Sequence, residues 1–187
     1  MTAQISDRFL ILDHEYSEIA FSEPFAFAPR EYGLRPGMHS TACWKGYWCV
    51  YQVTEDQILV KDLYIHTSDK HYPDINGVSV KKEDGRDFSY MGFHLYENVN
   101  IPVAYTGRIL VGKDFKIEHY IHMGLQRPWA YETVLELVFD SGKLNQKIDH
   151  SCVSADIRAA LTEYETPEQK GEYVLSDFAR EQFFEEV

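Results

Sequence analysis

The alternation of apolar and polar side chains over residues 132–140 constrains the fold more than any other feature of this chain. Thr133, Leu135, Leu137 and Phe139 alternate with Glu132, Glu136 and Asp140, and the run stops at Ser141 and Gly142. Successive strand residues point to opposite faces of a sheet, so a period of two predicts a strand with one buried face in an antiparallel sheet. Val134 and Val138 interrupt the polar face. Residues 47–66 add a hairpin, two extended runs flanking the short polar connection Glu55-Asp56, although neither face of the second run is cleanly polar. Residues 105–124 read as two further strands that reverse at Gly112-Lys113-Asp114. In the second of these, Phe115, Ile117, His119, Ile121 and Met123 face one way, and Lys116, Glu118, Tyr120 and His122 the other. Aromatic residues are 14% of the chain, a composition that suits pleated surfaces.

The period changes after Lys147. Ile157, Ala160, Leu161 and Tyr164 have helical spacing, with Ser154 as the expected N-cap and Pro167 as the stop. A second short helix is expected after Ser176, carrying Phe178, Ala179 and Phe183 on one side. Residues 22–39 and 67–87 read as loops, the first anchored by Phe25 and Phe27. At 187 residues the chain is one domain, large enough to bury a core without disulfide staples. The expected fold is α+β and mainly β. An antiparallel meander over 1–150, open, curled or barrel-like, is followed by an acidic helical extension over 151–187.

Thirty acidic residues against 18 basic ones give a net charge of −12. Such a field repels phosphate backbones and anionic lipid, which argues against a nucleic-acid or membrane-surface partner. Eight acidic and two basic residues fall within 163–187, so half of the net charge sits in that stretch. The first residues carry no basic region, and the apolar run at 9–12 is cut by Asp13, unlike a signal peptide. No apolar segment reaches the length of a membrane span. Cys43, Cys49 and Cys152 are an odd set without a C-x-x-C pair and are expected to be reduced and mostly buried. A cytoplasmic location follows as the expectation.

Motif chemistry is sparse. His119 and His122 are three apart, and on a strand that offset puts them on opposite faces, where they cannot share an ion. His66 and His71, with Asp69 and Asp74, lack a recognised ligand spacing. There is no G-x-S-x-G, S-x-x-K or phosphate-binding glycine loop. No metal, cofactor or catalytic residue is therefore expected. The aromatic surroundings of Cys43 and Cys49 favour protonated thiols. Residues 40–48 are the densest segment: Lys45-Gly46 marks a bend between Trp44 and Trp48, and aromatics beside a cation could stack a flat ligand or form a core strand.

Residues 40–47 (S-T-A-C-W-K-G-Y), 105–110, 120–124 (Y-I-H-M-G) and Tyr131-Glu132 match, in order, the motifs of a group of small uncharacterised bacterial proteins with an S-T-A-x-W-[RK]-G-Y strand and a Y-[VI]-H-M-G strand. The chain resembles that group over about residues 30–145. Those motifs carry no established chemistry, so the resemblance implies no catalytic residue.

These features support an acidic protein-binding module, such as an immunity-type protein that neutralises a basic toxin or effector by direct binding, with Glu181, Glu185 and Glu186 at the rim. The alternative is a small-ligand-binding or enzymatic β domain whose pocket draws on Trp44, Lys45, Tyr47, Trp48, His122 and Trp129. A structural or oligomeric component is a third expectation.

Overall fold

The computed structural model describes residues 2–24, 27–38, 40–82, 92–163 and 175–184. Ten strands form one sheet: β1 (Arg8–Ile11), β2 (His14–Phe21), β3 (Tyr47–Val53), β4 (Ile58–Ile65), β5 (Lys81–Lys82), β6 (His94–Tyr96), β7 (Ile101–Pro102), β8 (Gly107–Phe115), β9 (Tyr131–Asp140) and β10 (Lys143–Asp149). Their order is β10-β9-β8-β2-β1-β3-β4-β6-β5, with β7 paired to β4. All pairings are antiparallel except β1 with β3, so the sheet is mixed. It curls strongly without closing. The β9–β10 turn, Ser141 and Gly142, has φ of 51° and 87°, the paired positive values that suit a two-residue hairpin. This turn reaches the far side of the curl, where Gly142 O accepts from Ile58 N (2.9 Å) and Gly142 N donates to Tyr105 O (2.7 Å). A Cβ on Gly142 would lie 2.5 Å from Val103 O, so the approach needs glycine.

The concave face holds the main core. Phe9, Tyr51, Leu63, Ile109, Leu137 and Phe139 are buried there, with Phe9 stacked on Tyr51 at 5.0 Å. The outer face of β8 and β9 is covered by two helices, α1 (Ser151–Glu163) and α2 (Asp177–Phe184). Leu110, Val134, Val153, Ile157 and Phe183 pack in that layer. This explains the valine on the supposedly polar face of 132–140: β9 is covered on both sides at Val134. The mainly-β α+β class and the C-terminal helices agree with the sequence. Among the described residues no helix is long and apolar enough to cross a membrane.

The structure differs from the sequence reading in identifiable places. β8 runs straight through Gly112, which is a glycine because a Cβ there would meet the Tyr131 ring at 2.3 Å. Residues 116–124, read as its partner strand, form no strand; β8 pairs instead with β9. Residues 117–119 form a 3-10 turn, and Ile117 and Met123 are 74% and 53% exposed. The opposite-face placement of His119 and His122 therefore does not arise. α1 begins at Ser151, so Ser154 is not its cap; it is buried, and its hydroxyl donates to Tyr131 O at 2.9 Å. Ser176 does cap α2, its Oγ accepting from Ala179 N at 3.0 Å. Phe27 is buried in the core, while Phe25, Tyr164, Pro167, Glu185 and Glu186 lie outside the described residues.

Candidate functional site

Three stretches distant in sequence meet at one end of the sheet. Residues 40–46 form two successive tight turns, with Cys43 N donating to Ser40 O and Gly46 N to Cys43 O. Gly46 has φ 76°, and a Cβ on it would sit 2.5 Å from Gly37 O, so the Lys45-Gly46 bend is a turn only glycine fits. The N-terminal segment ties this loop to residues 120–127: Gln4 N donates to Gly124 O (2.9 Å), and Ile5 N to Ala42 O (2.7 Å). The Gln4 side chain donates to Thr41 O and accepts from Trp44 N. Trp44 is thereby held at the loop apex, 55% exposed.

Two hollows open between these elements. The larger, about 700 Å³, is lined by Ile19, Trp44, His122, Met123, Arg127 and, from α2, Gln182. The smaller, about 220 Å³, is lined by Gln4, Cys43, Trp44, Lys45 and Glu18. They share Trp44 and Leu125. A bulge in β2 between Glu18 and Ala20 lets the consecutive residues Glu18 and Ile19 both be buried, each at the wall of one hollow.

Beneath the smaller hollow lies a cluster of charge. Asp7, just ahead of β1, is buried; its Oδ1 accepts from Cys49 N (2.8 Å) and its Oδ2 from Lys45 Nζ (2.7 Å). Glu18 Oε2 accepts from Asp7 N (2.9 Å), and Glu18 N returns a bond to Asp7 O. Burial, then the neighbouring Asp7 carboxylate, raise the Glu18 carboxyl to about 7. Burial would lower the Lys45 ammonium, but the Asp7 and Glu18 carboxylates outweigh it and hold it above its ordinary value. Burial pushes both the Cys43 and Cys49 thiols up, so neither is a ready nucleophile. The arrangement offers an acid–base group that changes charge near neutral pH, a fixed cation and an apolar wall.

A second buried glutamate has a different setting. Glu136 of β9 sits under the helices; its Oε1 accepts from Arg108 Nη1 (2.5 Å) and Ser176 Oγ (2.8 Å), and its Oε2 lies 2.7 Å from His150 Nε2. Burial would raise this carboxyl, but the bonds from His150, Arg108 and Ser176 outweigh it and bring it down to about 2.

Of the residues singled out in the sequence, Trp44, Lys45 and His122 share this end of the molecule. The other aromatics do not join them. Tyr47 lies beneath Lys45, whose Nζ is 5.0 Å from the ring, and faces a separate depression with Phe27 and Pro36. Trp48 is buried in the core, stacked on Tyr64 at 3.8 Å with the Arg8 guanidinium 5.0 Å from its ring. Trp129 packs in the helix layer. Glu181 is exposed on α2. His66 Nδ1 lies 3.1 Å from Gly37 O, His71 is exposed and His119 is half-buried. No group of three metal-ligating side chains converges among the described residues. Cys43 and Cys49 are buried and Cys152 is exposed, with no disulfide.

Asp7 and Glu18 were not foreseen. The available signal was parity: Glu18 stands two residues from Tyr16, which is buried in the main core, and so is a charge in an inward register. No family model, curated protein or solved structure matches the chain.

Proposed function

We propose that the protein is a small-ligand-binding domain whose site is the pair of adjacent hollows at the 40–46 and 120–127 loops. One observation carries this reading: apolar walls of adequate volume converge on a nearly buried carboxyl that titrates near neutrality, the combination expected of a ligand site. A ligand of modest size would lay an apolar body along Ile19, Ile121, Met123 and Leu125 and place a polar end toward Glu18 and Lys45. Nothing in the arrangement requires a covalent step, and the protonated thiol of Cys43 does not supply one.

The test is ligand-observed NMR across a panel of small metabolites, with Trp44→Ala as the control. Trp44 is exposed, so its loss leaves the fold intact and removes the wall common to both hollows. Signals from one chemical class that vanish in Trp44→Ala support the site. Silence across the panel refutes it.

A second reading is favoured by a separate observation. The chain carries −12 net charge, and Trp44 and Met123 stand exposed at the rim of the groove, the kind of residues that anchor protein interfaces. A cytoplasmic, immunity-type role, neutralising a basic toxin or effector, would use that rim together with Glu181. It requires an association rate that falls steeply with salt. An association rate indifferent to salt would remove it.

A further inference from the structure

Resting on the ligand-binding reading, we propose that the bound molecule presents an alkylammonium group, seated in the smaller hollow against Glu18 Oε1, with its apolar chain in the larger one. The floor holds two carboxylates and one ammonium. Asp7 has a donor on each oxygen, the Cys49 amide on one and Lys45 on the other. Glu18 has one oxygen occupied, by the Asp7 amide. Among the described residues no donor is placed against its Oε1, although the residue is only 8% exposed and lines the cavity. Oε1 is not a buried orphan but lies at the wall of the hollow, and a carboxylate oxygen facing a cavity, beside a second carboxylate, is a place for a cationic donor to bind.

The chemistry of the hollow narrows that cation. An anion directed at Lys45 would add a third negative charge to a floor that already has one in excess. A divalent metal ion needs several oxygen ligands, and no such group converges among the described residues. A guanidinium is recognised best by a bidentate carboxylate, whereas Glu18 offers one oxygen. A compact ammonium fits a single acceptor, and the shared Trp44 indole suits a neighbouring cation. The acidic surface draws such molecules in.

Binding is then linked to pH. The titratable groups facing Glu18 are Asp7 ahead of β1, Cys43 and Lys45 of the loop, Tyr47 and Cys49 of β3, and Tyr131 of β9. Both thiols and both phenols are raised and keep their protons through neutrality. An arriving ammonium converts protonated Glu18 to the carboxylate and releases that proton to solvent.

The experiment is isothermal titration calorimetry of the full chain with n-hexylamine and 1-hexanol between pH 5.5 and 8.5, in buffers of different ionisation enthalpy. Hexylamine affinity should rise by about tenfold per pH unit on the acid side and level off above pH 7. Proton release should be near one at low pH and vanish at high pH. Hexanol should bind more weakly and without pH dependence, and Glu18→Gln should give hexylamine the flat profile of hexanol. If hexylamine and hexanol bind alike with no pH slope, the ammonium proposal is overturned and the ligand site stands. If neither binds, both fall. The wild-type slope measured against hexanol decides the matter even if Glu18→Gln does not fold. Nα-acetyl-leucyl-lysinamide tests the source of the ammonium: tighter binding than hexylamine with the same slope assigns it to a lysine side chain, and weaker binding to a free amine.

Discussion

Two glutamates are buried in one sheet and behave oppositely. Glu136 is held by an arginine, a histidine and a serine hydroxyl and stays ionised down to about pH 2. Glu18 has a single amide on one oxygen, a carboxylate for a neighbour and a hollow beside it, and titrates near 7. Burial is common to both, so burial does not decide the role of an acidic residue; the count of donors does. The filled site fastens α2 to the sheet, whereas the unfilled one borders open space. A carboxylate that folding leaves short of partners at a cavity wall is where a ligand has something to supply.

The contrast can be broken from either side. Glu136→Ala is expected to cost most, about 3–5 kcal/mol, because it strands His150 and Ser176 beneath the helices. The denaturant midpoint reads it. The sign of the acid dependence follows from the lowered carboxyl: its contribution is present above pH 4.5 and is lost as pH falls toward 2, a slope the variant should lack. Glu18→Gln should act in the other direction. The folded state keeps a proton that the unfolded chain releases between pH 4.5 and 7, so Glu18 contributes fully below 4.5 and loses that contribution as pH rises through 7. The amide should therefore stabilise the protein by about 2–3 kcal/mol at pH 8 and hardly at all at pH 4, measured by melting at both. A destabilised variant at pH 8 would remove the contrast.

Smaller changes sharpen it. Lys45→Met takes from the floor its one cation among the described residues. It should cost about 2 kcal/mol at pH 8, less than a fully buried pair because Lys45 is partly exposed. It should also move the Glu18 carboxyl further upward, which carboxyl-carbon NMR can follow. Ser176→Ala removes both the cap of α2 and one bond to Glu136 and should cost about 1 kcal/mol. In a double-mutant cycle with Glu136→Ala that cost should shrink, since the two share a bond.

What could be read from the sequence was local. The β3–β4 hairpin declares itself through Glu55-Asp56 between two apolar runs, β9 through its alternation, and α2 through Ser176 followed by Phe178, Ala179 and Phe183. β1 and β2 went unread because their turn, Leu12 and Asp13, contains no glycine or asparagine; Leu12 takes φ 56° there instead. Residues 115–123 imitate a strand because Phe115, the last residue of β8, is followed by Ile117, Ile121 and Met123 of a loop at alternating positions. Trp44 and Trp48 look equivalent in sequence, yet one stands at a loop apex and the other in a strand face. The site was harder still. Asp7, Glu18 and Lys45 come from three separate stretches, and among 30 acidic residues the parity of Glu18 with Tyr16 hints at one of the two that meet while nothing local marks Asp7.

The position of the first hairpin has a consequence for how this protein is made. β1 and β2 lie mid-sheet, and their outer neighbours, β3 and β8, come much later in the chain. At ribosomal speeds of about 5–20 residues per second, residue 115 follows residue 21 by roughly 5–20 seconds. Through that interval the β2 edge of the hairpin lacks its partner, although β3 can already pair with β1, and Phe9 and Ile11 still lack most of the core they will enter. That edge is among the last to be secured, and a holding chaperone would find its client there.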